Sequence, residues 1–177
     1  MYNPGMTETT IRRATADDAA MLADLATQTF RDTFETYNDP ADMDAYVSEA
    51  LTAERFAAEI VDPANCWFVA EVDGSPAGYA KLRSGIAHES VTGESPIEIS
   101  RLYAEKHFHG RGVGRSLIDA CFYEARRQNA LTVWLGVWEH NARAIAFYEK
   151  CGFVRCGATT FVLGKDVQTD AVMFRSL

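Results

Sequence analysis

Nowhere in these 177 residues does an apolar run approach the ~18 that a membrane span requires. The four cysteines, Cys66, Cys121, Cys151 and Cys156, form no C-x-x-C pair and follow no secretory leader, so reduced thiols in a cytosolic protein are expected. Positive charge is scarce as well: 17 Lys and Arg stand against 25 Asp and Glu, a formal net charge of −8. A nucleic-acid binder would carry a basic patch and a high isoelectric point, and that class is set aside. The same balance suits a cationic substrate such as a polyamine or a basic peptide, and it equally suits plain solubility. His107-x-His109 has no third ligand at useful spacing, so no metal is expected. No repeat and no linker interrupts the chain, and residues 1–177 read as one domain, able to bury roughly 70% of its unfolded surface.

What the chain does have is concentrated in one stretch, Ile97 to Leu117. The apolar, strand-like run Ile97 to Ala104 enters a polar turn, His109-Gly-Arg-Gly-Val-Gly114 follows, and helix-period spacing begins. Glycines alternating with Arg111 and Val113 free the backbone to turn tightly and to approach a ligand. A glycine-rich turn feeding a helix N-terminus aims several unpaired N–H groups at one spot, with the helix dipole behind them. The expected ligand is a phosphate. A Walker loop would need Lys-Ser/Thr after its last glycine, where Arg115-Ser116 stands, and a dinucleotide fingerprint would read GxGxxG rather than GxGxG.

A second segment, Trp134-Leu-Gly-Val-Trp-Glu-His-Asn-Ala-Arg-Ala-Ile-Ala-Phe-Tyr-Glu-Lys-Cys-Gly-Phe153, reads as strand, turn, helix, glycine stop and strand. Together the two segments resemble motifs A and B of the GCN5-related N-acetyltransferases (GNAT). Motif A is [Gln/Arg]-x-x-Gly-x-Gly/Ala, here with His109 in the first place. Motif B is Asn-x-x-Ala-x-x-Phe-Tyr-x-Lys-x-Gly-Phe, matched by Asn141, Ala144, Phe147, Tyr148, Lys150, Gly152 and Phe153. Ile11-Arg-Arg-Ala-Thr-Ala-Asp-Asp18 resembles the family's opening strand and helix start, so the likeness spans nearly the whole chain.

The resemblance implies an α/β fold: a twisted, mixed, mostly antiparallel sheet of about seven strands with four to five helices, its central strands splayed around acetyl-coenzyme A. It implies a pantetheine arm beside Leu102, Tyr103 and Ala104, and phosphates on His109, Gly110, Arg111, Gly112, Val113, Gly114 and Arg115. Asn141, Ala144, Tyr148 and Lys150 would flank the same cofactor. Tyr148 would protonate the leaving thiolate, a task suited to a phenol near pKa 10, and Glu98 would act as general base. Phe34, Tyr37 and Asn38 would overhang the acceptor. Each has a plainer reading: Tyr148 as core, Glu98 as partner of Arg101, Lys150 as a cation at a helix end, and the last three as loop packing. Trp134-Leu-Gly-Val-Trp-Glu-x-Asn, Leu163-Gly-Lys-Asp-x-Gln-Thr-Asp170, Phe30-Arg-Asp-Thr-Phe34 and Asp39-Pro-Ala-Asp-Met43 resemble the PaiA-type spermine/spermidine acetyltransferases. That resemblance makes a polyamine the expected acceptor. A protein N-terminus or lysine, or a coenzyme A-sensing regulator without turnover, are the alternatives, and homodimers are common in the family.

Elsewhere the pattern predicts frayed residues 1–9, a strand over 10–13, and helices over 17–34, 41–50 and 52–61 with a loop at 36–40. A hairpin at 67–72 and 76–83 turns on Asp73-Gly74, and 84–95 is a loop. Helices are expected over 112–128 and 141–150 and a strand over 131–137. A final strand pair, 153–162 and 171–175, is joined by a connector from Gly164 to Asp170.

Overall fold

Most helix starts in this chain are set by one side chain each. Asp39 Oδ1 accepts from the amide of Ala41, with Pro40 behind it, and Thr52 Oγ1 accepts from that of Arg55. Asn141 Oδ1 accepts from the Ala144 amide at 3.1 Å. Such caps satisfy donors that the helix leaves open, each worth about 1 kcal/mol. Near the N-terminus Asp18 takes the Thr15 amide and a two-pronged ion pair from Arg12, which holds its carboxyl down at about 2.

The computed structural model describes residues 9–177. In chain order these form β1 (Thr9–Arg13), α1 (Ala19–Phe34), α2 (Pro40–Ala50), α3 (Ala53–Val61), β2 (Asn65–Val72), β3 (Ser75–Arg83) and β4 (Pro96–Ala104). Then come α4 (Val113–Arg127), β5 (Thr132–Trp138), α5 (Ala142–Lys150), β6 (Val154–Leu163) and β7 (Asp166–Ser176). The strands make one seven-stranded sheet in the order β1-β2-β3-β4-β5-β7-β6, antiparallel throughout except for β4 beside β5. This is the mixed α/β architecture expected.

Two apolar layers sandwich the sheet. On one face α4 lays Val113, Leu117, Ile118, Cys121, Phe122 and Ala125 against strand residues such as Phe68, Ile97, Val133 and Met173, and Tyr148 of α5 joins them. On the other, α1 supplies Leu22, Leu25, Ala26 and Phe30 at helical spacing over Trp67, Val69 and Tyr79. Phe30 stacks on Tyr46 at 4.6 Å, which ties α2 to α1. Phe56 of α3 is fully buried beside Trp67, and burying one such ring is worth about 1.5–3 kcal/mol.

The differences from expectation lie at element ends. Residues 16–18 form a separate 3-10 turn before α1, and 35–37 a second one after it. α4 begins at Val113, with Gly112 as a left-handed cap. Thr9 already pairs with Val72 in β1, so fraying does not reach it; residues 1–8 lie outside the described part. The largest correction is β7. It begins at Asp166, not Ala171, and pairs with β6 back to Leu163–Asp166, leaving Gly164 and Lys165 as a tight turn. Among the described residues no helix is long and apolar enough to cross a membrane.

Candidate active site

β4 and β5 face each other over only three pairs, Pro96–Thr132, Ile97–Val133 and Glu98–Trp134. Beyond that point each strand stays paired on its outer side. β3 follows β4 as far as Gly78–Ala104, and β7 follows β5 as far as Trp138–Asp170. The inner edges of 99–104 and 135–138 therefore diverge, and their N–H and C=O groups lack a strand partner. Buried backbone groups need partners, so a gap of this kind fits a ligand that carries amides of its own. Leu102, Tyr103 and Ala104 form its β4 edge. A bulge lies at the fork: Lys81 faces Arg101 and Leu82 faces Ile99, which leaves Ser100 as the extra residue, its Oγ buried without a hydrogen-bond partner.

The glycine loop closes the open end of β4. Gly110 and Gly112 have φ of +78° and +87°, in the left-handed region, and a Cβ on either would meet nothing within 4 Å. The first amide bonded within α4 is that of Ser116, to Gly112 O, so the N–H groups of Val113, Gly114 and Arg115 are free. Positive helix end, free amides and open space fit a phosphate. Arg111 is exposed with its guanidinium 5.7 Å from the Phe108 ring, and Arg115 pairs with Asp119. Gly114 has a different reason to be small, since a Cβ there would touch the Phe147 ring of α5 at 3.6 Å. His109 and His107 part company: His107 pairs with Glu105, whereas His109 Nε2 lies 2.8 Å from the Ala104 carbonyl and its ring contacts Arg143. His109 thus ties the loop to the end of β4 and to α5.

α5 places the remaining donor-side residues. Asn141 spends Oδ1 on its cap, which leaves its NH₂ as a donor; Ala144 packs inward, and Lys150 is exposed in the last turn. Tyr148 is 8% exposed, edge-on to Phe153, and burial pushes its phenol well above its usual range. Tyr103 is shifted the same way by burial and stacks on Tyr79 across the sheet.

The acceptor face is less as the sequence suggests. Glu98 sits at the closed end of the split, 8% exposed, held by Arg83 at 2.6 and 2.7 Å. Its ionic partner is Arg83 and not Arg101, whose guanidinium lies over the Phe56 and Trp67 rings. Phe34 is buried against Trp138, Asn38 is half-buried, and Tyr37 stands 66% exposed with its ring edge-on to Trp138. Sequence reading missed two residues here. Gly136 is exposed in the middle of β5, although it lies deep within the sheet. Asp170 is its neighbour, with Oδ2 3.6 Å from where a Gly136 Cβ would be. Burial, and then the like charge of Glu139, raises the Asp170 carboxyl above the usual range.

With this geometry in hand, relatives narrow the class. The profile of the acetyltransferase (GNAT) family matches residues 21–153. An uncharacterised N-acetyltransferase of Lactobacillus delbrueckii subsp. lactis is 34% identical over 172 residues, 97% of this chain and 99% of that protein. One from Mycobacterium tuberculosis is 36% identical over 160 residues, covering 90% and 98%. The crystal structure of a PaiA N-acetyltransferase from Thermoplasma acidophilum in complex with coenzyme A matches with a TM-score of 0.76. That match is at 19% identity over 96% of this chain and 99% of the other, which speaks to fold alone. The chain belongs to the acetyltransferase (GNAT) family. It is an acyltransferase that uses acetyl-coenzyme A.

Proposed function

We propose that the chain, acting as one catalytic domain in the cytoplasm, acetylates a primary amine of spermidine or spermine by direct transfer in a ternary complex. The observation that carries this reading is the split between β4 and β5. Its outer end meets the free amides of α4, and its middle opens on Gly136 and the half-buried Asp170. Acetyl-coenzyme A, when bound, supplies a thioester whose acyl carbon is open to attack by a neutral amine.

This chain's residues bind, orient and move protons around that carbon. The amides of Val113, Gly114 and Arg115 take phosphate charge, with Gly110, Arg111 and Gly112 shaping the approach and His109 bracing the loop. The free edge of Leu102, Tyr103 and Ala104 and the NH₂ of Asn141 orient the donor's amide arm, beside Ala144, with Lys150 at the far end of α5. Such positioning supplies most of what acyl transfer needs. The Tyr148 hydroxyl would supply the proton that the thiolate released by acyl transfer to the amine needs. Burial suits Tyr148 to this, because it keeps the phenol protonated until a strong base appears. Glu98, ion-paired with Arg83, takes the nitrogen's proton through water. Asp170 seats the incoming ammonium at Gly136, below the wall of Phe34, Tyr37 and Asn38.

A thiol-release assay with acetyl-coenzyme A and a panel of amines tests the reading. Spermidine and spermine should turn over with a KM that rises with salt, since charge draws them in. Arylamines turned over as well as polyamines, or a salt-independent KM, would overturn it.

A further inference from the structure

On the α1 face of β3 and β4 the cations outnumber the carboxylates that answer them. Arg83 is paired with Glu98, and the Lys81 ammonium lies 2.7 Å from the Glu59 carboxylate. Arg101 stands across from Lys81, just past the Ser100 bulge, where the inner edge of β4 has lost its strand partner. Among the described residues no carboxylate or carbonyl takes its guanidinium, whose Cζ lies 5.2 Å from the Phe56 ring centre and 5.9 Å from that of Trp67. Its nitrogens are not sealed in. The buried side-chain nitrogens and oxygens without a partner, among the described residues, are Asn65 Oδ1, Ser100 Oγ and Gln168 Oε1. Arg101 is thus half-buried, unpaired and open to a ligand. An unpaired charge in such a place costs stability. Carboxylates are not scarce in a chain of net charge −8, yet none is placed here.

Across the split the sign is reversed. Asp170 is half-buried too, no cation answers it among the described residues, and the charge that bears on it is the like charge of Glu139. Arg101 stands in register with Lys81 and Trp67, and Asp170 with Trp138; both tryptophans belong to the apolar layer under α1. The two unanswered charges therefore open on one face of the sheet, one on each side of the split. We propose that Arg101 seats a carboxylate of the acceptor, so that the chain also acetylates amines carrying a carboxylate at the far end of a short chain, the ω-amino acid class. Aromatic rings cover the faces of a guanidinium and leave its in-plane N–H groups free, the fork that a carboxylate fits. A dianion would find one unpaired cation here, because Lys81 is already taken; a carboxylate matches it one for one.

Strand order sets the spacing of the two groups. β5 stands between β4 and β7, so the anchors start two strand spacings apart, about 10 Å, and the splay adds to that. An amine on the carbon that bears the carboxylate sits too close to it to meet both anchors; an amine at the end of an alkyl chain reaches. The amine loses a proton and gains the acetyl group, coenzyme A is released as its thiol, and no further reactant is needed. The inference shares the Asp170 amine seat with the polyamine reading and adds a second acceptor class to it.

Thiol release from acetyl-coenzyme A by the whole chain is the test, with 6-aminohexanoate, 6-aminohexanamide and spermidine as acceptors. Wild type, Arg101→Gln and Arg101→Lys are compared, with melting temperature as the check on folding. The amide is the matched probe, with the same chain and amine but no anion. An acidic protein draws the cationic amide better than the net-neutral acid, so a higher kcat/KM for the acid is the signature of the seat. The acid should lead by about tenfold in wild type and lose that lead in Arg101→Gln. Arg101→Lys keeps the charge without the fork and should restore the lead only in part. No turnover of the acid by wild type, an amide that is level or ahead, or a lead that survives Arg101→Gln would overturn the proposal. The wild-type comparison decides even where a variant does not fold. Spermidine separates the two claims. Spermidine acetylated while acid and amide are level removes the Arg101 seat and keeps the polyamine reading; the acid preferred while spermidine is inert does the reverse.

Discussion

The two sides of the split are built from different material. The donor side is mostly backbone: free amides of α4, the bare edge of β4, and two glycines in the left-handed region. The acceptor side is made of side chains from distant segments, with Asn38 and Gln168 joined across 130 residues. Backbone does not change when a residue is substituted conservatively, so the donor side can be kept while the acceptor side is rewritten. One fold can then serve many amines.

That comparison breaks first at Tyr148, a side chain on the donor side. Tyr148→Phe should lower kcat by about 10²–10⁴-fold, with little change in acetyl-coenzyme A affinity, because only a hydroxyl is removed. Unchanged turnover with chemistry limiting would make Tyr148 a packing residue. Gly112→Glu comes next: a side chain forced to positive φ and a negative charge both oppose phosphate. At 100 times Kd a ligand stabilises its protein by about 2.7 kcal/mol, and differential scanning fluorimetry should show that gain lost in the variant while the fold persists. On the acceptor side, Gly136→Val suits a strand, and its Cβ would meet Asp170 and Thr159 at ordinary contact. It should raise polyamine KM about tenfold, the cost of blocking a contact worth near 1.4 kcal/mol, and leave acetyl-coenzyme A binding alone. Equal damage to both ligands would deny that the sides are separable.

The smallest effect is one of sign. Arg12 lowers the Asp18 carboxyl, so its contribution to stability is present above 3.8 and fades as pH falls toward about 2. Asp170 is shifted the other way by burial, so its ionised form costs the fold stability, and the cost grows as pH rises through its elevated value. At pH 7 Asp18→Asn should lower the melting temperature. Asp170→Asn should raise it by a degree or two after allowance for solvent screening. Toward pH 2 the Asp170 difference should vanish and the Asp18 difference should shrink to a small remainder. Unfolding scans at pH 7 and pH 2 read this directly.

The donor side was legible because its signals are local. Glycine spacing, a polar turn and an amphipathic run sit within 21 residues, Ile97 to Leu117, and the structure places that loop at the helix end where the spacing put it. The acceptor side depends on register. Asp166, Gln168, Thr169 and Asp170 are polar and follow a glycine, so they read as a connector; in fact they extend β7 and put Asp170 across from Trp138. Strand polarity there serves a cleft and solvent, not a core, and alternation cannot report which. Glu98 shows the same limit. Its strand was evident, but its partner depended on which β3 residue fell opposite, and the bulge at Ser100 shifts that register by one.

The three-pair contact between β4 and β5 also has a mechanical meaning. The sheet is two plates, β1 to β4 and β5 to β7, welded over about 10 Å at one corner. A crack in such a weld starts at its tip, here Glu98 and Trp134, where leverage from the splayed strand ends is greatest. A ligand that fills the opening and bonds to both edges is a splint, lengthening the joint beyond what the chain itself provides. A donor bonded to both edges would therefore stiffen the sheet against shear at that seam.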